Sequence, residues 1–372
     1  MRLDGRHRNV RAEQSATAVG APQLEHAVES GNAIGETAET RSVGGSAPPT
    51  LVCDGVGVRL CLMIEGQEDV TWEDWLALAR ACEEHGVEAL FRSDHYLSVD
   101  GRGERGSLDA WATIAALAAA TSTVRLGTLV SPATFRHPSE LAKVVVTADH
   151  VSGGRVELGM GTGWLEAEHE AYGFPFPDLG TRMSLLEEQL TVVADEWAEG
   201  PFSFDGRHYT MRDLDALPKP VQRPRPNLIV GGGGGRRSLA LAARFADEYN
   251  TVAKTAAECR QIRRDLDLAC RREGRDPISL SLMTGWLAGE NRAEVQERAA
   301  RLAEWRGQGG GSESFLRSVP ESWLVGPLDE VVAGLRALAT AGVERVMAQH
   351  LLHRDLGAVE QIGRRVAPAV VD

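Results

Sequence analysis

Val124-Arg125-Leu126-Gly127-Thr128-Leu129-Val130, then the helical stretch Pro138–Val151, then Arg155-Val156-Glu157-Leu158-Gly159-Met160: this stretch decides the fold. Two apolar segments of strand length flank one helix that begins at a proline, where a missing N–H costs nothing. Strands joined through a helix pair in parallel, by a right-handed crossover.

The same unit recurs in both directions. Upstream, Val58–Ile64 is a short apolar run, and Thr71 opens a helix with Asp74 in capping-box spacing. Trp72, Trp75, Leu76, Ala79 and Cys82 follow at helical intervals, and Gly86 is placed to end the helix. Strand Glu88–Ser93 and helix Leu108–Ala120 lead into the quoted stretch. Downstream come helix Arg182–Glu199, an irregular segment, strand Asn227–Val230, helix Arg236–Phe245, strand Glu248–Val252 and helix Ala256–Arg272. Strand Ile278–Leu287 and helix Arg292–Trp305 follow. A helix from Pro327 to Ala341, capped by Gly342, precedes the last strand Val343–Ala348. Eight strands alternating with helices predict an α/β fold, a closed (β/α)8 TIM barrel with loop insertions rather than an open doubly wound sheet. Chemistry is then expected on the loops that follow the strands.

Residues 1–52 stand apart as a disordered N-terminal extension, and 53–372 as the barrel domain. The first fifty residues hold no Phe, Trp or Tyr and end in Gly44-Gly45-Ser46-Ala47-Pro48-Pro49, too little apolar surface to offset ordering entropy. The chain of 372 residues, 43% apolar and 25% charged, has the proportions of a soluble globular protein. A net charge of −13 argues against nucleic-acid and anionic-membrane partners, and no apolar run approaches a membrane span. Five cysteines without a CxxC pair argue against a disulfide framework or a cysteine zinc site, and fit a reducing cytoplasm.

The strand ends carry the candidates. After strand two, Asp94-His95 places an imidazole at the barrel mouth; it reads as a general acid or base, or as a solvent-facing side chain. After strand three, Ser131–Pro138 is a tight loop punctuated by prolines. After strand four, Gly161-Thr162-Gly163-Trp164 offers bare backbone to a ligand, with a tryptophan that either stacks or plugs the loop. After strand five, Gly231–Gly235 runs into Arg236-Arg237 and a helix; it reads as an anion cradle or as a flexible turn. A left-handed conformation at Gly233 would bar a β-branched residue there. The last strand delivers Gln349-His350 and His353, whose spacing lacks a carboxylate to complete a metal site, and Asp355 reads as a helix N-cap.

The run Leu126–Pro138 and the run Arg155–Trp164 resemble the luciferase-like monooxygenase superfamily. The runs Gly173–Pro177, Pro201–Tyr209 and Leu217–Gln222 are similar to its F420-dependent oxidoreductase branch. The resemblance spans about residues 56–366. It implies a bacterial luciferase-like barrel with a non-prolyl cis peptide at Leu129-Val130 supporting the cofactor ring. It also implies that Asp94 binds cofactor, that His95 is the active-site histidine, and that Thr162 and Gly163 contact cofactor. Gly232, Gly233 and Gly234 match the loop near the phosphate or ligand tail. Trp164 departs from the sugar-phosphate dehydrogenases of the superfamily, which carry a catalytic glutamate there; a tryptophan accepts no proton. The function implied is hydride transfer between coenzyme F420 and a small organic substrate, with His95 handling the proton, in a chain that pairs as a homodimer. FMN in the same barrel would instead imply a monooxygenase using reduced flavin and dioxygen. A barrel that only binds a ligand is the remaining alternative.

Overall fold

Successive residues of the first central strand pack in opposite directions, and that split builds the molecule. In Arg59–Ile64 (β1), Leu60, Leu62 and Ile64 join the large core against the helices, whereas Cys61 and Met63 face an inner cluster with Phe91, Ile229 and Met347. Burial on both faces suits parallel strands covered by helices. The computed structural model describes residues 57–371, so the expected 1–52 extension lies outside the described residues.

Seven further barrel strands follow: Ala89–Arg92 (β2), Arg125–Thr128 (β3), Val156–Gly161 (β4), Asn227–Gly231 (β5), Glu248–Val252 (β6), Ser279–Gly289 (β7) and Arg345–Gln349 (β8). Each pairs in parallel with its neighbours, and β8 pairs with β1, so the sheet closes. A closed parallel sheet with helical crossovers is the TIM barrel the alternation implies. The Thr71–Asp74 capping box and a left-handed Gly86 (φ 74°) bound the first helix, Trp72–His85.

The departures from the sequence expectation concern connections, three of them besides the short helix Glu166–Tyr172. The irregular segment before β5 contains an antiparallel hairpin, Phe202–Asp205 with Thr210–Leu214. A helix Gly311–Ser318 and a strand Leu324–Pro327 lie between Trp305 and the last crossover, the strand pairing with the outer end of β7. Third, β3 ends at Thr128, and Ser131–Pro132 resumes pairing with β4.

The N-terminal end of the barrel is sealed by charge. Arg345 donates to Glu157 at 2.7 and 3.0 Å and to Glu248 at 3.1 Å, and Arg125 donates to Glu157 at 2.6 Å. Burial works against the charge on Glu157, but Arg345 and Arg125 outweigh it and hold the carboxyl well below the usual range. Glu248 goes the other way: burial, aided by the neighbouring Glu157, lifts it despite Arg345. Among the described residues no helix is long and apolar enough to cross a membrane.

Candidate functional site

The opposite end opens into a cavity of about 660 Å³ to which all eight barrel strands or their following loops contribute. Its lining combines apolar side chains (Leu129, Val130, Pro132 and Met283) with a polar group that includes Glu65, Ser93 and His95 at the ends of the first two strands. Mostly apolar clefts with a few convergent polar groups are the usual form of a cofactor site.

His95 belongs to that polar group. Its Nδ1 donates to Glu168 Oε2 at 2.9 Å, and its ring meets the edge of Trp164 at 5.5 Å between centroids. Among the described residues Nε2 has no hydrogen-bond partner. Glu168 is fully buried and also accepts the N–H groups of Tyr96 and Leu97, the latter at 3.0 Å. Burial opposes its ionisation, but His95 and those two N–H groups outweigh burial and hold the carboxyl low. An ionised carboxylate only accepts, so the Nδ1 proton is fixed and Nε2 is the nitrogen left to exchange. Burial also pushes the His95 imidazole down. The hydrogen bond and charge of Glu168, with Glu65 and Asp94 adding, more than reverse this and raise its pKa above the ordinary value.

Glu168 is the residue that the sequence reading missed. It lies on a short helix, Glu166–Tyr172, inside a stretch read only as loop. His169 pins that helix, with Nδ1 2.8 Å from the Leu165 carbonyl and Nε2 2.6 Å from Thr134 Oγ1. The sequence cue was an acidic side chain next to a histidine beyond strand four, too short a pattern to signal a partner 73 residues away.

Asp94 is adjacent in sequence and differently placed. It is buried outside the cavity lining, where Arg136 donates to it at 2.6 and 3.2 Å and Ser131 Oγ at 2.7 Å. Leu129 and Val130 line the cavity, and the peptide between them is cis, as the resemblance implies. Thr162 and Gly163 line it too. Gly163 has φ 76°, and a Cβ there would lie 2.9 Å from Thr134 Oγ1. Trp164 is 60% exposed at the rim, so it plugs nothing.

Gly232 and Gly233 line the cavity, whereas Gly234 lies behind it, its N–H donating to Tyr249 Oη at 2.8 Å. The left-handed conformation expected at Gly233 belongs to Gly234 instead (φ 88°); a Cβ at Gly233 would meet nothing within 4 Å. Beyond the loop, helix Arg236–Phe245 starts without a side-chain cap. Bare backbone and uncapped N–H groups beside the cavity suit an anionic tail, and the apolar Leu129–Val130 wall suits a flat ring. The residues therefore fit a ring cofactor with a phosphate. Gln349 reaches the cavity, but His350 turns inward, its Nε2 3.1 Å from the Asp355 carbonyl, and burial lowers its pKa to about 4. Asp355 caps the helix Leu356–Glu360.

Fold and site together define a barrel enzyme that works with a bound redox cofactor. The chain belongs to the luciferase-like monooxygenase family, which matches residues 61–345. It is similar to the F420-dependent hydroxymycolic acid dehydrogenase of Mycobacterium tuberculosis, 27% identical over 331 residues, covering 88% of this chain and 87% of that one. It is also similar to the FMNH(2)-dependent dimethylsulfone monooxygenase of Pseudomonas putida, 25% identical over 319 residues, covering 79% and 86%. Among solved structures, an F420-dependent secondary alcohol dehydrogenase in complex with an F420-acetone adduct shares the fold. Its TM-score is 0.71 at 19% identity, over 85% of this chain and all of that one. The protein is an F420- or flavin-dependent oxidoreductase of the luciferase-like class.

Proposed function

We propose that the protein moves a hydride between F420 and a small organic substrate, with His95 supplying or accepting the accompanying proton. The observation that carries this reading is the His95–Glu168 pair, which leaves Nε2 as the exchangeable nitrogen of a cavity-facing ring. The F420-dependent relative that covers 88% of this chain supports the choice of cofactor.

When bound, a deazaflavin supplies two-electron hydride chemistry, because carbon replaces the flavin N5 and its reduced form reacts slowly with oxygen. Leu129, Val130, Thr162 and Gly163 would hold the ring. Gly233, with the bare backbone of Gly232 beside it and the N-terminus of helix Arg236–Phe245, would hold the anionic tail, while Gly234, its N–H taken by Tyr249 Oη, would only shape the turn. Asp94 acts from behind the wall: with Arg136 it fixes Ser131 and the loop that follows the Leu129–Val130 bulge. Pro132 and Met283 add apolar surface to the cavity and would help displace water from a bound ring, which strengthens charge interactions inside. His95 holds or takes the proton at Nε2, and Glu168 stabilises the imidazolium that forms. The four described cysteines are free and buried, which supports a reducing cytoplasm as the setting.

An FMN-dependent monooxygenase is the second reading, favoured by the P. putida relative. Binding titrations with F420 and with FMN separate the two, followed by turnover with and without oxygen. Tighter F420 binding and oxygen-independent turnover are expected. Preferential FMN binding with oxygen consumption would replace the first reading by the second.

A further inference from the structure

We propose that Glu65 sets the substrate class: the cavity takes a small organic molecule bearing a hydrogen-bond donor, best a protonated amine, beside the carbon that reacts. This rests on the reading above only in placing substrate next to His95. Glu65 directly follows β1, half-buried on the cavity wall. Gln67 Nε2 donates to its Oε2 at 2.9 Å, and Gln349 Nε2 donates to its Oε1 at 2.5 Å. Gln67 is itself fully buried and fixed, its Oε1 accepting from Ser93 Oγ at 2.5 Å while Ser93 Oγ accepts the Gly66 N–H at 2.8 Å. Side chains from the ends of three different strands therefore hold one carboxyl group in place.

What they do not do is neutralise it. The other acidic groups of the wall have cations: Arg105 lies 2.6 Å from Glu68, and Arg306 lies 3.5 Å from Asp100. Among the described residues Glu65 makes no ion pair; its oxygens meet only neutral amides. An ionised carboxylate offers about four acceptor sites, so two amides leave it half satisfied. In a partly enclosed cavity, where water is scarce and charge interactions are strong, that deficit favours a ligand that brings a donor, and most of all a cationic one. Glu65 and His95 line the same cavity, and Glu65 is one of the charges acting on His95. A carboxyl group serving only the fold would be met by a cation or would cap a helix, and Glu65 does neither.

The test compares three probes that share one phenyl ring, for which Leu129, Val130 and Met283 provide the apolar wall: phenethylammonium, 2-phenylethanol and the methyl ether of that alcohol. Affinities for the full chain are read by saturation-transfer NMR titration. The ammonium should bind tightest, the alcohol next and the ether weakest. Ammonium and ether should differ roughly tenfold, the scale of one hydrogen bond to a charged group. Glu65→Gln, checked for an unchanged thermal midpoint, should erase the ammonium's advantage and leave the ether unaffected. Equal affinities in the wild type, no binding of any probe, or a ranking that survives in Glu65→Gln would each overturn the proposal. Should the variant not fold, the wild-type ranking decides. The ranking is then repeated on protein loaded with F420 or FMN; if it vanishes there, Glu65 serves the cofactor and the proposal falls. A chain that binds neither cofactor strikes the hydride-transfer reading and not this one, which the free protein still decides.

Discussion

The two ends of the barrel both bring a basic side chain against buried carboxylates, and they do opposite things with it. At the N-terminal end Arg345 spends its donors on Glu157 and Glu248, with Arg125 adding a second cation, so the charges answer one another inside the protein. At the C-terminal end Glu168 takes one nitrogen of His95 and leaves the other at a cavity of about 660 Å³. A closed network closes a barrel; an open one is available for chemistry. That division matches the general rule that the lower face of a TIM barrel serves stability and the upper face serves catalysis.

The comparison can be broken from either end. His95→Ala should lower turnover roughly 10²–10⁴-fold, about 3–5 kcal/mol of barrier, while the thermal midpoint and cofactor affinity change little. Steady-state kinetics beside a melting curve check this, and a large loss of stability with modest loss of rate would make His95 a wall. Arg345→Met should do the reverse. It leaves buried Glu248 without an ion-pair partner among the described residues and Glu157 with Arg125 alone, and should cost about 3–5 kcal/mol in denaturant unfolding, with kcat preserved in the folded fraction. The smallest effect belongs to the glycine loop. Gly233 has free space around it and no left-handed backbone, so Gly233→Val should fold normally. It should weaken F420 or FMN roughly tenfold by blocking backbone approach to the phosphate, and weaken riboflavin much less. Equal losses for both would make the loop structural.

The barrel was legible because its strands are buried on both faces and separated by well-capped helices, as Thr71, Gly86 and Pro138 announced. The hairpin Phe202–Asp205 with Thr210–Leu214 was not, because an exposed two-stranded ribbon alternates too briefly to stand out from loop. The helix Gly311–Ser318 has only Phe315 fully buried, so its apolar stripe is one residue wide. In the site, residues at strand ends could be placed by chain position: His95, Thr162 and Gly232 all reach the cavity. What chain position could not give was partnership. Glu168 and Gln349 find His95 and Glu65 across 73 and 284 residues, a distance in sequence that no local spacing encodes. Asp94 and His95, neighbours in the chain just past the end of β2, are held in different places by different partners, Asp94 by Arg136 and Ser131 and His95 by Glu168.

The central claim is that Glu168 tunes His95 for proton transfer, and the pH dependence of kcat/KM in the wild type and in Glu168→Gln tests it most directly. Burial alone depresses an imidazole, and Glu168, with smaller help from Glu65 and Asp94, more than reverses that in the wild type. The wild-type profile should therefore show an ionisation above the ordinary histidine value. Removing the carboxylate takes away the largest upward influence, so the same ionisation should move to lower pH in Glu168→Gln, whichever direction the proton travels. His95→Ala should lack it altogether. Superimposable profiles for the wild type and Glu168→Gln would contradict the account and send the search for the proton donor to another group in the cavity.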